Sequence, residues 1–320
     1  MSTPGASALD PAVVEAAERL RHAQTTNRPC RPIRDLIGVD ALDAAYAVQW
    51  HVTALAEISG ARVVGHKLGM MSSAVRAQLG VAEPTIGTLM DTMQVAHDGV
   101  VPLRRLLQPL VEAEIAFRLA DDLDGPDVDA EQARAAVGAV YAALEVVDSR
   151  ISGWDISAVD TIADNASSGM FVLSPESRPL GDWDLRMLRM ELRCGGGVVS
   201  SGSGGDNCMG DPLRGLAWLA REASRQGNPL RAGMLVLAGS LGPMVPITEG
   251  DSFSARIGDL PEVRVHFRSS VAARAAAEGL DDHRPARPRG PCRRGDGRGH
   301  ARPPSRDGVR PGRHPQPDGS

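Results

Sequence analysis

Lysine is almost missing from this chain. Of its 35 permanently basic side chains, Lys67 is the single lysine; every other one is arginine. A chain that uses arginine wherever a fixed positive charge will serve excludes Lys67 as just another of those charges, unless its presence is chance. Lysine can lose or share a proton when desolvated, which guanidinium cannot, and Lys67 stands between Gly65 and Gly69, which permit close backbone approach. Cysteine is scarce too. Cys30, Cys194, Cys208 and Cys292 are scattered with no C-x-x-C pair, which excludes the usual zinc and disulfide frameworks and suits a reduced, cytoplasmic compartment. No apolar run approaches the roughly 18 residues of a membrane span, and the first residues carry no basic and apolar signal pattern. Positive charge is short: the net charge is −5, and residues 271–320 hold 11 arginines against 6 acidic residues, leaving the first 270 residues at −10. An acidic body argues against nucleic acid as a partner. Phosphate and nucleophile motifs are absent as well. The glycine-rich stretch 202–207 has Asn207 where a dinucleotide fingerprint needs its third glycine, and neither G-x-x-x-x-G-K nor G-x-S-x-G occurs.

What is present centres on residues 111–117, VEAEIAF. The alternation predicts a strand with Val111, Ala113, Ile115 and Phe117 on one face and Glu112, Glu114 and Ala116 on the other. Two carboxylates at i and i+2 repel each other unless a cation lies between them or water covers the face. Glu145 adds a third, inside the apolar run ALEVV, where an unpaired carboxylate is costly. Three such groups suit a hard divalent cation, Mg²⁺ or Mn²⁺, with coordination positions left for water or substrate; a solvated acidic edge is the alternative.

Periodicity predicts helices over residues 11–24 and 41–58, the second capped by Asp40, a strand over 61–68, a short helix over 72–79 and a loop over 82–87. A helix is expected over 131–141 behind a capping box of Asp129 and Gln132. Beyond it come a hairpin around residues 195–197, a helix from Pro212 to about residue 226, a buried strand at 234–237 and a closing hairpin over 253–267. This order favours an α+β fold with a mixed, mainly antiparallel, curled β-sheet over a doubly wound one. Three parts are expected: an N-terminal helical segment (1–60), a β-rich metal-binding catalytic domain (61–268) and a disordered Arg/Pro/Gly-rich tail (269–320). His66 reads as partly exposed. The run Asp164-Asn165-Ala166-Ser167-Ser168 reads as a polar turn or as donors lining a pocket. Ser240, after a buried strand, reads as a turn serine or as a group aimed into a site.

Together, GHKLG (65–69), QLGV (78–81) with Pro84 and Gly87, VEAEIAF (111–117), EVVDSRI (145–151), DTIADNASSG (160–169) and GSL (239–241) resemble the 2-keto-4-pentenoate hydratases of the fumarylacetoacetate-hydrolase-like superfamily. That superfamily also holds the 4-oxalocrotonate decarboxylases. The resemblance runs from about residue 10 to Phe267. It implies the curled fold of that superfamily, Mg²⁺ or Mn²⁺ held by Glu112, Glu114 and Glu145, an active-site Lys67, and Ser167 or Ser168 facing the substrate with Ser240 nearby. It departs in two places. Thr85 stands where many hydratases have an acidic residue, and Asp206 to Met209 replace small apolar residues.

The implied activity is hydration of a 2-hydroxy-2,4-dienoate to a 4-hydroxy-2-oxo acid, in aromatic ring degradation, by a cytoplasmic homo-oligomer. Decarboxylation of 2-oxo-3-hexenedioate and a catalytically weak metal-binding partner subunit are the alternatives. No Arg or Lys adjoins Thr85-Ile86 or residues 239–244, and a Leu, Met and Ile surround suits a neutral alkenyl end better than a second carboxylate. The tail offers little to bury. Truncation after Ser269 is therefore expected to leave activity and melting temperature unchanged, and a drop of several degrees would refute that reading.

Overall fold

The computed structural model describes residues 10–71 and 83–269. The helix expected at 72–79 and the tail from residue 270 lie outside the described residues. Three helices open the chain: α1 (Pro11–Thr26), α2 (Arg34–Ile37) and α3 (Leu42–Ile58). Asp10 caps α1 through its side chain, and Pro11 fills the first turn, where no N–H is needed. The cap expected of Asp40 is not made; α3 starts after Ala41 without a side-chain cap bond.

Thirteen strands follow among the described residues, in two sheets. The large sheet contains β1 (Val63–Gly69), β2 (Thr85–Met90), β3 (Gln94–Val95), β5 (Leu110–Leu119), β6 (Val137–Val147), β7 (Ser168–Leu173), β10 (Leu235–Ser240) and β11 (Val245–Pro246). Its order is β2-β1-β10-β5-β6-β7-β3, with β11 added to β5. Pairing is antiparallel except for β1 with β10 and β3 with β7. The sheet curls until β2 approaches β7. The small sheet runs β4 (Gly99–Pro102), β13 (Val263–Arg268), β12 (Ser252–Ile257), β8 (Arg189–Cys194) and β9 (Gly197–Ser203).

Alternation sorts the large sheet into two faces. The inner face buries Leu89, Ala116, Ala143, Phe171, Leu173, Leu235 and Leu237 inside the curl. The outer face, with Ile115, Phe117, Leu144 and Val236, packs against the small sheet and against helices α4 (Ala130–Ala136) and α7 (Pro212–Arg225), which follows the one-turn α6 (Gly204–Asn207). Helix α7 turns Leu213, Leu216, Ala217, Ala220 and Ala223 inward, the spacing of one helical face.

Two expectations are corrected. The capping box of Asp129 and Gln132 forms, but α4 stops at Ala136, and residues 137–141 belong to β6. Val137, Val140 and Tyr141 favour strand, and pairing with β5 overrides the helical pattern. The loop expected over 82–87 already belongs to β2 from Thr85 onward, because β1 supplies a partner from Gly69 to Val63.

The N-terminal helices share a core with α5 (Ala158–Ala163): Val13, Leu20, Ile33 and Val48 meet Ile151, Val159 and Ile162. Asp160 ties the two together. Its Oδ1 accepts from the N–H groups of Ile33 (2.9 Å) and Arg34 (3.0 Å), and its Oδ2 accepts from Arg34 Nη1 (2.5 Å) and Ser157 Oγ (2.8 Å). The Ser157 N–H also donates to Oδ2 (2.9 Å), so removing this fully buried carboxylate strands five donors. Asp160→Ala is expected to cost about 3 kcal/mol or more in urea unfolding; a loss below about 1 kcal/mol would show that the helices dock without it.

Candidate active site

The inner face of the curl carries charge at one end. Glu112 and Glu145 lie directly opposite each other across β5 and β6, and Glu114 pairs in register with Ser240 of β10. Lys67 of β1 projects from the same face, since its register partner Leu237 pairs in turn with Ala116. Period two puts the two glutamates of β5 on this face and leaves Ile115 and Phe117 to the core outside it. One oxygen from each of Glu112, Glu114 and Glu145 lies within 4.8 Å of the others.

All four charged groups are buried. Lys67 Nζ donates to Glu145 Oε1 at 2.5 Å and to the carbonyl of Ala166 at 3.1 Å. Burial alone would depress its pKa, but the charges of Glu145, Glu112 and Glu114 outweigh that and hold it above the ordinary lysine value. Burial, followed by the charge of Glu145, pushes Glu112 up to about 7, against the opposing pull of Lys67 and of hydrogen bonds from Glu114 and Ser240. Glu114 is raised well above the usual carboxylate range by burial and by Glu145 and Glu112. The N–H of Gly239 donates to Glu114 Oε2 at 2.8 Å, while Glu114 Oε1 and Glu145 Oε2 have no protein partner. Orphaned, buried carboxylate oxygens converging from two adjacent strands, β5 and β6, fit a hard divalent cation.

The other expected residues lie at varying distances from this cluster. Ser240 adjoins it, its hydroxyl donating to the carbonyl of Gly242 and reaching Glu112. Ser168 pairs with Val147, two residues beyond Glu145, and its hydroxyl is buried without a protein partner, as is that of Ser167. Ser168 lines a cavity of about 250 Å³ between the sheet and helices α1 and α3. Thr85 sits on the Lys67 face with a buried, unpartnered hydroxyl beside Gly69, where a Cβ would come within 2.6 Å of it. Ile86 and Leu241 belong to the core outside the curl. They do not line the site, which removes them from the apolar surround expected there. His66 is not partly exposed: it faces away from Lys67 and is 5% exposed. Desolvation lowers its pKa to about 4, so it stays neutral.

Sequence reasoning gave no part to Arg150, and it read Asp164 and Asn165 only as members of a polar turn or of a donor set lining a pocket. The Arg150 guanidinium meets the Asp164 carboxylate and carbonyl and the carbonyls of Asp148 and Ser168, and Ser149 Oγ donates to Asp164 at 2.9 Å. This knot binds the end of β6 to residues 164–168. A signal for it exists in the sequence, an arginine five residues after Glu145 and an aspartate fourteen residues further on, but only the fold pairs them.

Residues 64–268 match the family model described as fumarylacetoacetate (FAA) hydrolase C-terminal. The TodF product hydratase of Pseudomonas putida is 46% identical over 256 residues, covering 80% of this chain and 95% of that protein. A 2-keto-4-pentenoate hydratase of Paraburkholderia xenovorans is 44% identical over 263 residues, covering 82% and 97%. Among solved structures, the 4-oxalocrotonate decarboxylase from Pseudomonas putida G7, complexed with magnesium and adipate, superposes with a TM-score of 0.77. It is 32% identical and covers 80% of this chain and 97% of its own.

Glu112→Gln, Glu114→Gln and Glu145→Gln are each expected to abolish metal-dependent turnover in a protein that still folds. The first two, which each remove one buried like charge while leaving the Lys67–Glu145 pair intact, are expected not to lower the melting temperature of the metal-free protein. Turnover that persists in EDTA would sink the metal assignment.

Proposed function

Because the chain belongs to the fumarylacetoacetate hydrolase family, we propose that it is a hydro-lyase that adds water to a 2-hydroxy-2,4-dienoate of the 2-keto-4-pentenoate type. The observation that carries this reading is identity of 44–46%, over nearly the full length of those proteins, to relatives named as hydratases. The buried triad of glutamates beside Lys67 suits the chemistry. The substrate end that must be held is a 2-oxo acid, and its far end is neutral.

The reaction balances in two stages. The dienol loses its O2 proton and gains one at C5, giving a 2-oxo-3-enoate. Water then adds across C3 and C4, hydroxyl to C4 and proton to C3, and the product is a 4-hydroxy-2-oxo acid. Bound by Glu112, Glu114 and Glu145, Mg²⁺ or Mn²⁺ would act as a Lewis acid toward the 2-oxo acid. Lys67, with three donors and a position inside the curl, is the group placed to hold negative charge on the substrate or to pass a proton. Ser240 stands beside Glu112, and Ser168, two residues beyond Glu145 in register, keeps a hydroxyl with no protein partner. No redox cofactor takes part.

The reading includes a cytoplasmic homo-oligomer. Leu42, Trp50 and Ile58 of α3 are exposed apolar side chains of the kind self-association covers. Decarboxylation of 2-oxo-3-hexenedioate is the second reading, favoured by the similarity to the decarboxylase structure.

Offering both substrates with Mg²⁺ and following products by mass separates the two. Hydrated monoacid is expected, with product heavier by one water. Carbon dioxide release from the diacid with no hydration of the monoacid would reverse the assignment.

A further inference from the structure

Residues 165–167 form a turn with three consecutive non-glycine residues in the left-handed region: Asn165 at φ 55°, Ala166 at 51° and Ser167 at 53°. Such backbone persists only where its surroundings over-determine it. The cavity of about 250 Å³ toward α1 and α3 has Asn165 and Ser168 in its wall, so close packing from that side does not hold the turn. Specific bonds do. Thr88 N–H donates to Asn165 Oδ1 at 2.7 Å, and Asn165 Nδ2 donates to the Thr88 carbonyl at 2.9 Å. Thr88 lies on β2, the terminal strand of the large sheet. The side-chain amide thus takes the place of a neighbouring strand's peptide group on the open edge of β2.

The turn carries one backbone group to the charged cluster, the carbonyl of Ala166, which accepts from Lys67 Nζ at 3.1 Å. Its carbonyl neighbour Asn165 O and the Ala166 methyl crowd Gly87, where a Cβ would come within 2.9 and 3.2 Å of them. An ammonium has three donors. Among the described residues Glu145 takes one and Ala166 takes a second, so their directions fix the third.

We infer that Asn165 is a positioning residue: by clamping the left-handed turn to Thr88 it aims the Ala166 carbonyl, which orients the free donor of Lys67 toward the substrate. This rests on the proposed role of Lys67. Asn165 touches none of the three glutamates through the hydrogen bonds it makes, so it acts on the lysine rather than on the metal.

The test uses Asn165→Ala and Asn165→Asp, alone and combined with Lys67→Met, in the full chain. Asparagine to aspartate keeps the acceptor for Thr88 N–H and loses the donor to its carbonyl, so it carries the test if the alanine variant does not fold. Each single variant at Asn165 is expected to lower kcat at least tenfold, with KM and Mn²⁺ affinity by calorimetry within threefold of wild type. In the Lys67→Met background the same change should alter the residual rate less than twofold. Wild-type kcat in both Asn165 variants, a full multiplicative loss in the double variants, or a matching loss of Mn²⁺ affinity would overturn the inference. Wild-type turnover in Lys67→Met alone would sink the lysine reading itself, and the clamp's purpose with it.

Discussion

Three carboxylates and one ammonium share one end of the inner face of a curled sheet, and the rest of the structure is arranged around that imbalance. Lys67 can neutralise one of Glu112, Glu114 and Glu145, and it is bonded to Glu145. The remaining negative charge is buried, and desolvation together with mutual repulsion raises the pKa of Glu112 and Glu114. Left to itself such a cluster opposes folding. A divalent cation turns the same arrangement into an attraction, because each orphaned oxygen then has a partner. The repulsion within the cluster and its capacity to bind a cation are therefore one property.

A cluster of this kind needs a scaffold that cannot relax. The glutamates stand on β5 and β6, the longest paired strands, with an unbroken antiparallel register from Leu110 to Arg118. Both faces of these strands are buried, inward against Phe171 and Leu237 and outward against the small sheet and α7. The sheet cannot rotate the carboxylates apart without breaking two cores. The charged end is finished by irregular backbone, the 165–167 turn and the Gly239–Ser240 bend, whose N–H and C=O groups meet Glu114 and Lys67. Left-handed backbone at three L-residues costs about 1–2 kcal/mol each, an expense that regular structure elsewhere in the domain offsets.

Much of this was legible in the sequence, for reasons that can be named. Glu112 and Glu114 showed through period two, Glu145 through its apolar setting, and Lys67 because nothing else in the chain is lysine. The α+β class followed from the order of the elements. What could not be read depended on contacts distant in sequence. The end of α4 is decided by β5, not by the helical pattern of residues 131–141. The burial of His66 depends on which face of β1 meets the outer core. Ile86 and Leu241 sat near site motifs in sequence yet point into that core. Asn165 as a stand-in for a strand requires knowing that β2 is the sheet's last strand.

The central claim is that the three glutamates form one divalent-cation site. Electron paramagnetic resonance of Mn²⁺ added stepwise to the metal-free protein at neutral pH tests it most directly. The account predicts that the six-line signal of free Mn²⁺ stays suppressed until one equivalent per chain has been added, and rises afterward. A free-ion signal growing in proportion from the first addition would contradict it.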